Sequence, residues 1–277
     1  MAVLLETAPN EFIEASGIKF AYRRLGLRKG TPLILLQHFT GTMDSWDPVV
    51  VNGLAETRPV IVFDNSGVGT SSGHTPDNVT QMAADAGQFI AALGLTQVDL
   101  LGYSLGGFIA QLLAANSPGL VRKVILVGTA PQGGEEHLLA VLKEAFSHKE
   151  APDVRLPLFF TPSKMSQDAG RAFLKRAGVR TADRDPESGT AISDPQAKAL
   201  IDWCASKDPE NSILNGIGQP VLVVCGSDDT MLPDKNAYFM FKHLKSAQLI
   251  LYPDSGHGAL FQYSTLFVEH SLLFLNS

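Results

Sequence analysis

Cysteine is scarce in this chain of 277 residues, which carries only Cys204 and Cys225. Two are too few for a disulfide framework. Cys225 closes the apolar run VLVVC, where a small buried side chain is the ordinary role, so both cysteines fit a reducing compartment and a cytoplasmic location is expected. Charge is also sparse, at 18% of residues, and no stretch gathers enough Lys and Arg to track a phosphate backbone. With 22 basic against 28 acidic residues and a net charge of −6, nucleic acid is not an expected partner. The tightest basic pairs, Arg23-Arg24 and Arg28-Lys29, flank an expected N-terminal hairpin and read as solvated turn charges. The opening MAVLLETAPNEF has no basic start and only a four-residue apolar run, so neither a signal peptide nor a membrane anchor is expected. Metal-binding spacings are missing too. There is no H-E-x-x-H, no paired-cysteine motif and no carboxylate ladder of calcium-loop spacing, so neither metal nor cofactor is implied.

What the chain does have is apolar material, at 45% of residues, enough to bury a large core. The segment IKFAYRRLG alternates like a half-buried hairpin strand, with Ile18, Phe20 and Tyr22 facing away from Lys19, Ala21 and Arg23. Continuous apolar runs follow at 32–38, 59–64, 98–103, 121–128, 220–226 and 248–253, each bounded by turn residues, as strands buried on both faces are. Helix-like stretches at 78–93, 105–116, 234–245 and 260–275 alternate with them, Asn78 standing as a cap for the first. Strand alternating with helix predicts an α/β fold: a mostly parallel, eight-stranded sheet covered by helices on both faces. Residues 131–215 are far too long for one crossover. They hold amphipathic segments (HLLAVLKEAF, DAGRAFLKRAG, PQAKALIDWCA) broken by Pro152, Pro157, Pro162, Pro186 and Pro195. The expected organisation is a core of 1–130 and 216–277 with a helical cap inserted at 131–215.

One segment carries chemistry. Gly102-Tyr103-Ser104-Leu105-Gly106 fills G-x-S-x-G between an expected strand and an expected helix, the setting that motif requires. A sharp strand-to-helix turn holds its serine in a strained conformation, and side chains at 102 and 106 would meet neighbouring backbone. The helix that follows aims amides and the positive end of its dipole at any anion formed there, with the Leu105 amide as one donor.

On these residues the chain resembles the α/β-hydrolase superfamily over nearly its whole length, and especially its capped, cofactor-free esterases, lactonases and haloperoxidase-type perhydrolases. The resemblance implies a nucleophile, acid and base in the chain order serine, acid, histidine. A hydroxyl of ordinary pKa needs an imidazole to take its proton and a carboxylate to fix that ring. Of seven histidines, His257 follows the last expected strand in Pro253-Asp254-Ser255-Gly256-His257-Gly258 and resembles the family's terminal G-H motif. His38, at the end of run 32–38, is its rival, but the resemblance assigns that place to the oxyanion loop. The run Gly226-Ser227-Asp228-Asp229-Thr230-Met231-Leu232-Pro233 resembles G-x-x-D-x-x-x-P, and that spacing selects Asp229 over Asp228.

The second oxyanion amide is expected from the loop His38-Phe39-Thr40-Gly41-Thr42. The family usually shows H-G there, and His-Phe leaves Phe39 or Thr40 as donor, with Phe39 preferred. Asp64-Asn65-Ser66-Gly67-Val68-Gly69-Thr70-Ser71 resembles the family's D-x-x-G-x-G-x-S turn; it lacks a P-loop lysine and dinucleotide spacing, and reads as scaffold. In the cap, Phe159, Phe160 and Trp203, with Met231 after the acid, could wall an apolar acyl pocket or merely pack the cap onto the core. The expected reaction is hydrolysis of a small-molecule ester or lactone through an acyl-enzyme, without a membrane partner. Carbon–carbon bond hydrolysis, perhydrolysis and receptor-type ligand binding stay open.

Overall fold

A computed structural model describes residues 3–133 and 153–277. Its centre is an eight-stranded sheet in the order β1-β2-β4-β3-β5-β6-β7-β8. The strands are β1 (Glu11–Ala15), β2 (Ile18–Gly26), β3 (Leu33–Leu36), β4 (Pro59–Phe63), β5 (Val98–Tyr103), β6 (Val121–Val127), β7 (Val221–Gly226) and β8 (Ala247–Tyr252). From β4 onward every pairing is parallel, and only β1 with β2 and β2 with β4 are antiparallel. Helices cover both faces. Leu33 and Leu35 of β3 point into a core shared with α1 (Pro48–Ala55), while Ile34 and Leu36 point into one shared with α2 (Val79–Ala92) and α3 (Leu105–Asn116). A strand with two buried faces has no polar alternation to show, which is why the sequence displays unbroken apolar runs. Asn78 caps α2 as expected, accepting from the Gln81 amide at 2.8 Å.

The helices described between β6 and β7 are α4 (Arg155–Phe159), α5 (Lys164–Ala177), α6 (Thr190–Ala205) and α7 (Ser212–Gly216). The segment HLLAVLKEAF lies outside the described residues. Pro157 and Pro195, expected to interrupt helices, sit inside α4 and α6 instead. Pro157 is the third residue of α4, where an N–H has no intrahelical partner in any case. Pro195 is the sixth residue of α6, so it removes a single hydrogen bond from a helix of 16 residues. After β7 come α8 (Asp234–His243), α9 (Ala259–Gln262) and α10 (Ser264–Asn276). The helix expected over 260–275 is broken at Tyr263, which has φ −104° and ψ 38° and whose hydroxyl donates to the Pro253 carbonyl. Among the described residues no helix is long and apolar enough to cross a membrane.

Arg23 corrects the sequence reading. It is wholly buried rather than a solvated turn charge. Its Nη1 donates to Asp44 Oδ1 at 2.7 Å and its Nε to Asn10 Oδ1 at 2.7 Å, while Nη2 faces Asp185 Oδ2 at 3.7 Å. Asp44 Oδ2 in turn accepts the Asp185 amide at 2.7 Å. A buried guanidinium persists only with such partners, and here they join β2 to the segment between α5 and α6. A second tie is bidentate: Arg176 at the end of α5 grips Asp47, the N-cap of α1, at 2.9 and 2.6 Å. Arg24, Arg28 and Lys29 are exposed as expected.

Candidate active site

β5 ends at Tyr103 and α3 begins at Leu105, so one residue, Ser104, makes the reversal. It adopts φ +54° and ψ −118°, a conformation that a non-glycine residue holds only where its surroundings enforce it. Three hydrogen bonds do so here. The Ser104 amide donates to the Val127 carbonyl of β6 at 2.9 Å, and its carbonyl accepts the Gly107 amide at 2.8 Å and the Thr129 hydroxyl at 2.9 Å. The flanking glycines are needed for closeness. A Cβ on Gly102 would fall on the backbone of Gly106 and Gly107, and one on Gly106 on the Leu36 carbonyl of β3.

The loop after β8 brings His257 to the same edge of the sheet. Its Nδ1 lies 2.8 Å from Asp229 Oδ2. Facing a carboxylate, Nδ1 carries the proton and donates, leaving Nε2 as the basic nitrogen. Asp229 Oδ1 accepts the amides of Met231 and Leu232, both at 2.9 Å, and the Cys225 thiol stands 3.9 Å from Oδ2. Burial, then the Asp229 charge, pushes that thiol well above the usual range, so it stays protonated. Asp228, by contrast, is exposed and accepts the Ser227 hydroxyl at 2.6 Å. Gly128, one residue beyond the Val127 that anchors Ser104, lies against the imidazole: a Cβ there would sit 3.2 Å from Nδ1. The Tyr103 hydroxyl donates to the His257 carbonyl at 3.2 Å, and its ring packs 5.1 Å from the imidazole.

His38 differs from His257 in its partner. Its Nδ1 donates to the Phe39 carbonyl at 2.7 Å, with no carboxylate in the pair, and burial pushes its pKa down to about 3. It is a neutral ring wedged edge-on between Tyr103 and Phe159. In the loop that follows, the Thr40 amide is taken by Gln196 Oε1 at 2.6 Å. Among the described residues the amides of Phe39 and Leu105 have no acceptor. Of the two oxyanion candidates in the loop, Phe39 is therefore the one with a free N–H.

The four residues expected to wall an acyl pocket divide. Phe159 reaches the site, its ring 5.5 Å from that of His257 at 61°, and Met231 is half-buried beside the acid. Phe160 packs against Phe173. Trp203 stacks on Phe108 of α3 at 5.0 Å and donates its indole N–H to the Ala130 carbonyl, so it packs α6 onto α3. Asp64 braces the neighbouring turn through the amides of Met43 and Thr70, the scaffold role expected of it. Among the described residues no group of three or more His, Cys, Asp or Glu side chains could hold a metal. Sequence reasoning missed Gln196 and Ser188, whose hydroxyl donates to the Thr40 carbonyl at 2.8 Å. No local pattern marks either, because each meets a partner about 150 residues earlier.

A nucleophile-type turn at the end of the central β5, with a histidine–carboxylate pair after the last two strands, is the arrangement of an α/β-hydrolase. A family model described as the alpha/beta hydrolase fold matches residues 31–262, and the chain belongs to that family. A solved alpha/beta hydrolase fold protein from Chitinophaga pinensis is 44% identical, covers 99% of both chains and superposes with a TM-score of 0.92. A pimeloyl-[acyl-carrier protein] methyl ester esterase of Nitrosomonas europaea is 27% identical, over 87% of this chain and 94% of its own. A non-heme haloperoxidase of Rhodococcus erythropolis is also 27% identical, over 89% of this chain and 92% of its own.

Proposed function

We propose that this chain is a serine hydrolase of small to medium apolar carboxylic esters or lactones. In this reading Ser104 is the nucleophile, His257 the general base and Asp229 the group that orients it. The observation that carries it is the 2.8 Å His257–Asp229 bond, in a loop packed on Gly128, one residue from the strand end that anchors Ser104. The imidazole takes the hydroxyl proton as Ser104 attacks the carbonyl, then returns it to the departing alkoxide. Water repeats the sequence on the acyl-enzyme. Asp229 stays ionised, and the amides of Leu105 and Phe39 hold the tetrahedral oxyanion, each donor contributing about 3 kcal/mol to the transition state. The half-buried Met231 and the edge of Phe159 offer an apolar wall to the acyl chain. The buried thiols of Cys204 and Cys225 suit a reducing cytoplasm.

A fluorophosphonate probe tests the nucleophile directly. Wild type is expected to label stoichiometrically at Ser104, and Ser104→Ala neither to label nor to turn over acetyl, butyryl or octanoyl esters while keeping its melting temperature. Labelling elsewhere, or wild-type turnover by Ser104→Ala, would overturn the reading.

A further inference from the structure

The oxyanion loop is built on an unfavourable residue. Thr40 has φ +59°, a left-handed conformation that a β-branched side chain resists and glycine accepts freely. His38 to Gly41 form a turn closed by the Gly41 amide on the His38 carbonyl at 3.0 Å, and Thr40 holds its third position, where a positive φ demands a particular orientation of the Phe39–Thr40 peptide. That peptide is pinned at both ends. Its carbonyl accepts from His38 Nδ1 and from the Thr40 hydroxyl, each at 2.7 Å. Its N–H is claimed by Gln196 of α6 at 2.6 Å, and Ser188, just before α6, donates to the Thr40 carbonyl. Gln196 is itself 1% exposed, so its acceptor is fixed and dry.

Removing that acceptor would strand the Thr40 amide and leave the strained turn free to relax to negative φ. The peptide would then rotate, and the Phe39 amide, its neighbour on the same turn, would change direction. We propose that Gln196 is a positioning residue for the oxyanion hole: through the Thr40 amide it holds the loop in the turn that leaves the Phe39 N–H free for the anion. This rests on the serine-hydrolase reading above. It makes α6 part of the catalytic apparatus at one remove, through the Thr40 amide.

Gln196→Met keeps the length and volume of the side chain and removes the acceptor. It is expected to lower kcat by about 100-fold, the loss of one oxyanion donor, with KM within about threefold, since substrate in its ground state does not need the hole. Adding Thr40→Gly makes positive φ intrinsic to the loop, and the double variant is expected to recover most of that loss, which a merely structural role of Gln196 would not produce. Affinity for a trifluoromethyl ketone, which forms an oxyanion on the nucleophile, is expected to follow kcat across the set. If Gln196→Met does not fold, Ser188→Ala with and without Thr40→Gly repeats the comparison at a half-buried site, with a smaller drop and the same rescue. An unchanged kcat in a variant that lacks the acceptor or the donor overturns the assignment, as does a loss that glycine at 40 leaves uncorrected. Fluorophosphonate labelling of wild type is run alongside. Labelling at Ser104 with an unaffected Gln196→Met defeats this inference alone, whereas a wild type that does not label defeats the serine-hydrolase reading and the inference with it.

Discussion

Arg23 and Asp44 form a 2.7 Å ion pair in which the arginine is fully buried and the aspartate nearly so. Asp44 also carries the Asp185 amide, so one carboxylate joins β2, the turn before α1 and the segment leading into α6. Breaking such a pair from one side leaves a charge in the interior without compensation. Arg23→Met is therefore expected to lower stability by about 3–5 kcal/mol, read as a shift in the urea midpoint at unchanged m. A midpoint within error of wild type would show that Arg180, 3.7 Å from Asp44, suffices alone.

Asp229→Asn keeps an oxygen for the Met231 and Leu232 amides and loses the charge that fixes the His257 tautomer. Ester turnover is expected to fall about 10⁴-fold with little change in melting temperature. Asp228→Asn, on the exposed neighbour, is expected to leave turnover intact. Equal losses from the two would mean that the loop, rather than the 2.8 Å bond, matters.

Asp64 and Asp185 set a pH dependence of stability. Burial raises the Asp64 carboxyl well above its ordinary range, with the Asp185 charge adding to it; burial, then the Asp44 charge, raises Asp185, which Arg23 opposes. Arg180 and Arg184 also face this cluster. A group whose folded pKa is raised contributes stability below its unfolded value, about pH 4, and that contribution is lost as pH rises towards the folded value. Asp44 is shifted the other way, so its contribution is lost only in acid. Urea unfolding at intervals between about pH 4.5 and 8 is expected to show stability declining with pH. Asp185→Asn is expected to flatten that decline, and an unaltered slope would exclude the pair as its source.

Phe159 and Trp203 separate the two roles open to the aromatics between β6 and β7. Trp203→Ala removes a side chain stacked on Phe108 and is expected to lower stability by about 3–5 kcal/mol, with KM for a short ester unchanged. Phe159→Ala frees one side of the His257 ring, and kcat is expected to fall by about 10- to 100-fold, the effect of a misplaced catalytic group. The two variants are compared by denaturant titration and steady-state kinetics, and a large KM effect at 203 would return that residue to the pocket wall.

Much of this was legible in the chain because the signals are local. Ser104 stands where Gly102 and Gly106 leave room for backbone, and the strands show as apolar runs because both faces are buried. β3 stops at Leu36, short of its run, because Gln37 turns to bond the His38 amide and the Thr42 carbonyl. What could not be read depends on distant partners. Arg23 looks like a turn charge until Asp44 and Asp185 are beside it, 21 and 162 residues away. Gln196 looks like any polar residue of an amphipathic helix until the Thr40 amide reaches it. The choice of Asp229 over Asp228 came from resemblance in spacing, and its geometric counterpart is the bond to His257.

The Gly258 amide donates to the Phe159 carbonyl at 2.8 Å, and the hydroxyls of Thr161 and Ser163 donate to Asp254 at 2.7 and 2.6 Å. These bonds tie the end of α4 and the segment after it to both sides of His257. Lifting that strap from the core would pull on the loop that holds the imidazole against Asp229, so order in the one is coupled to order in the other.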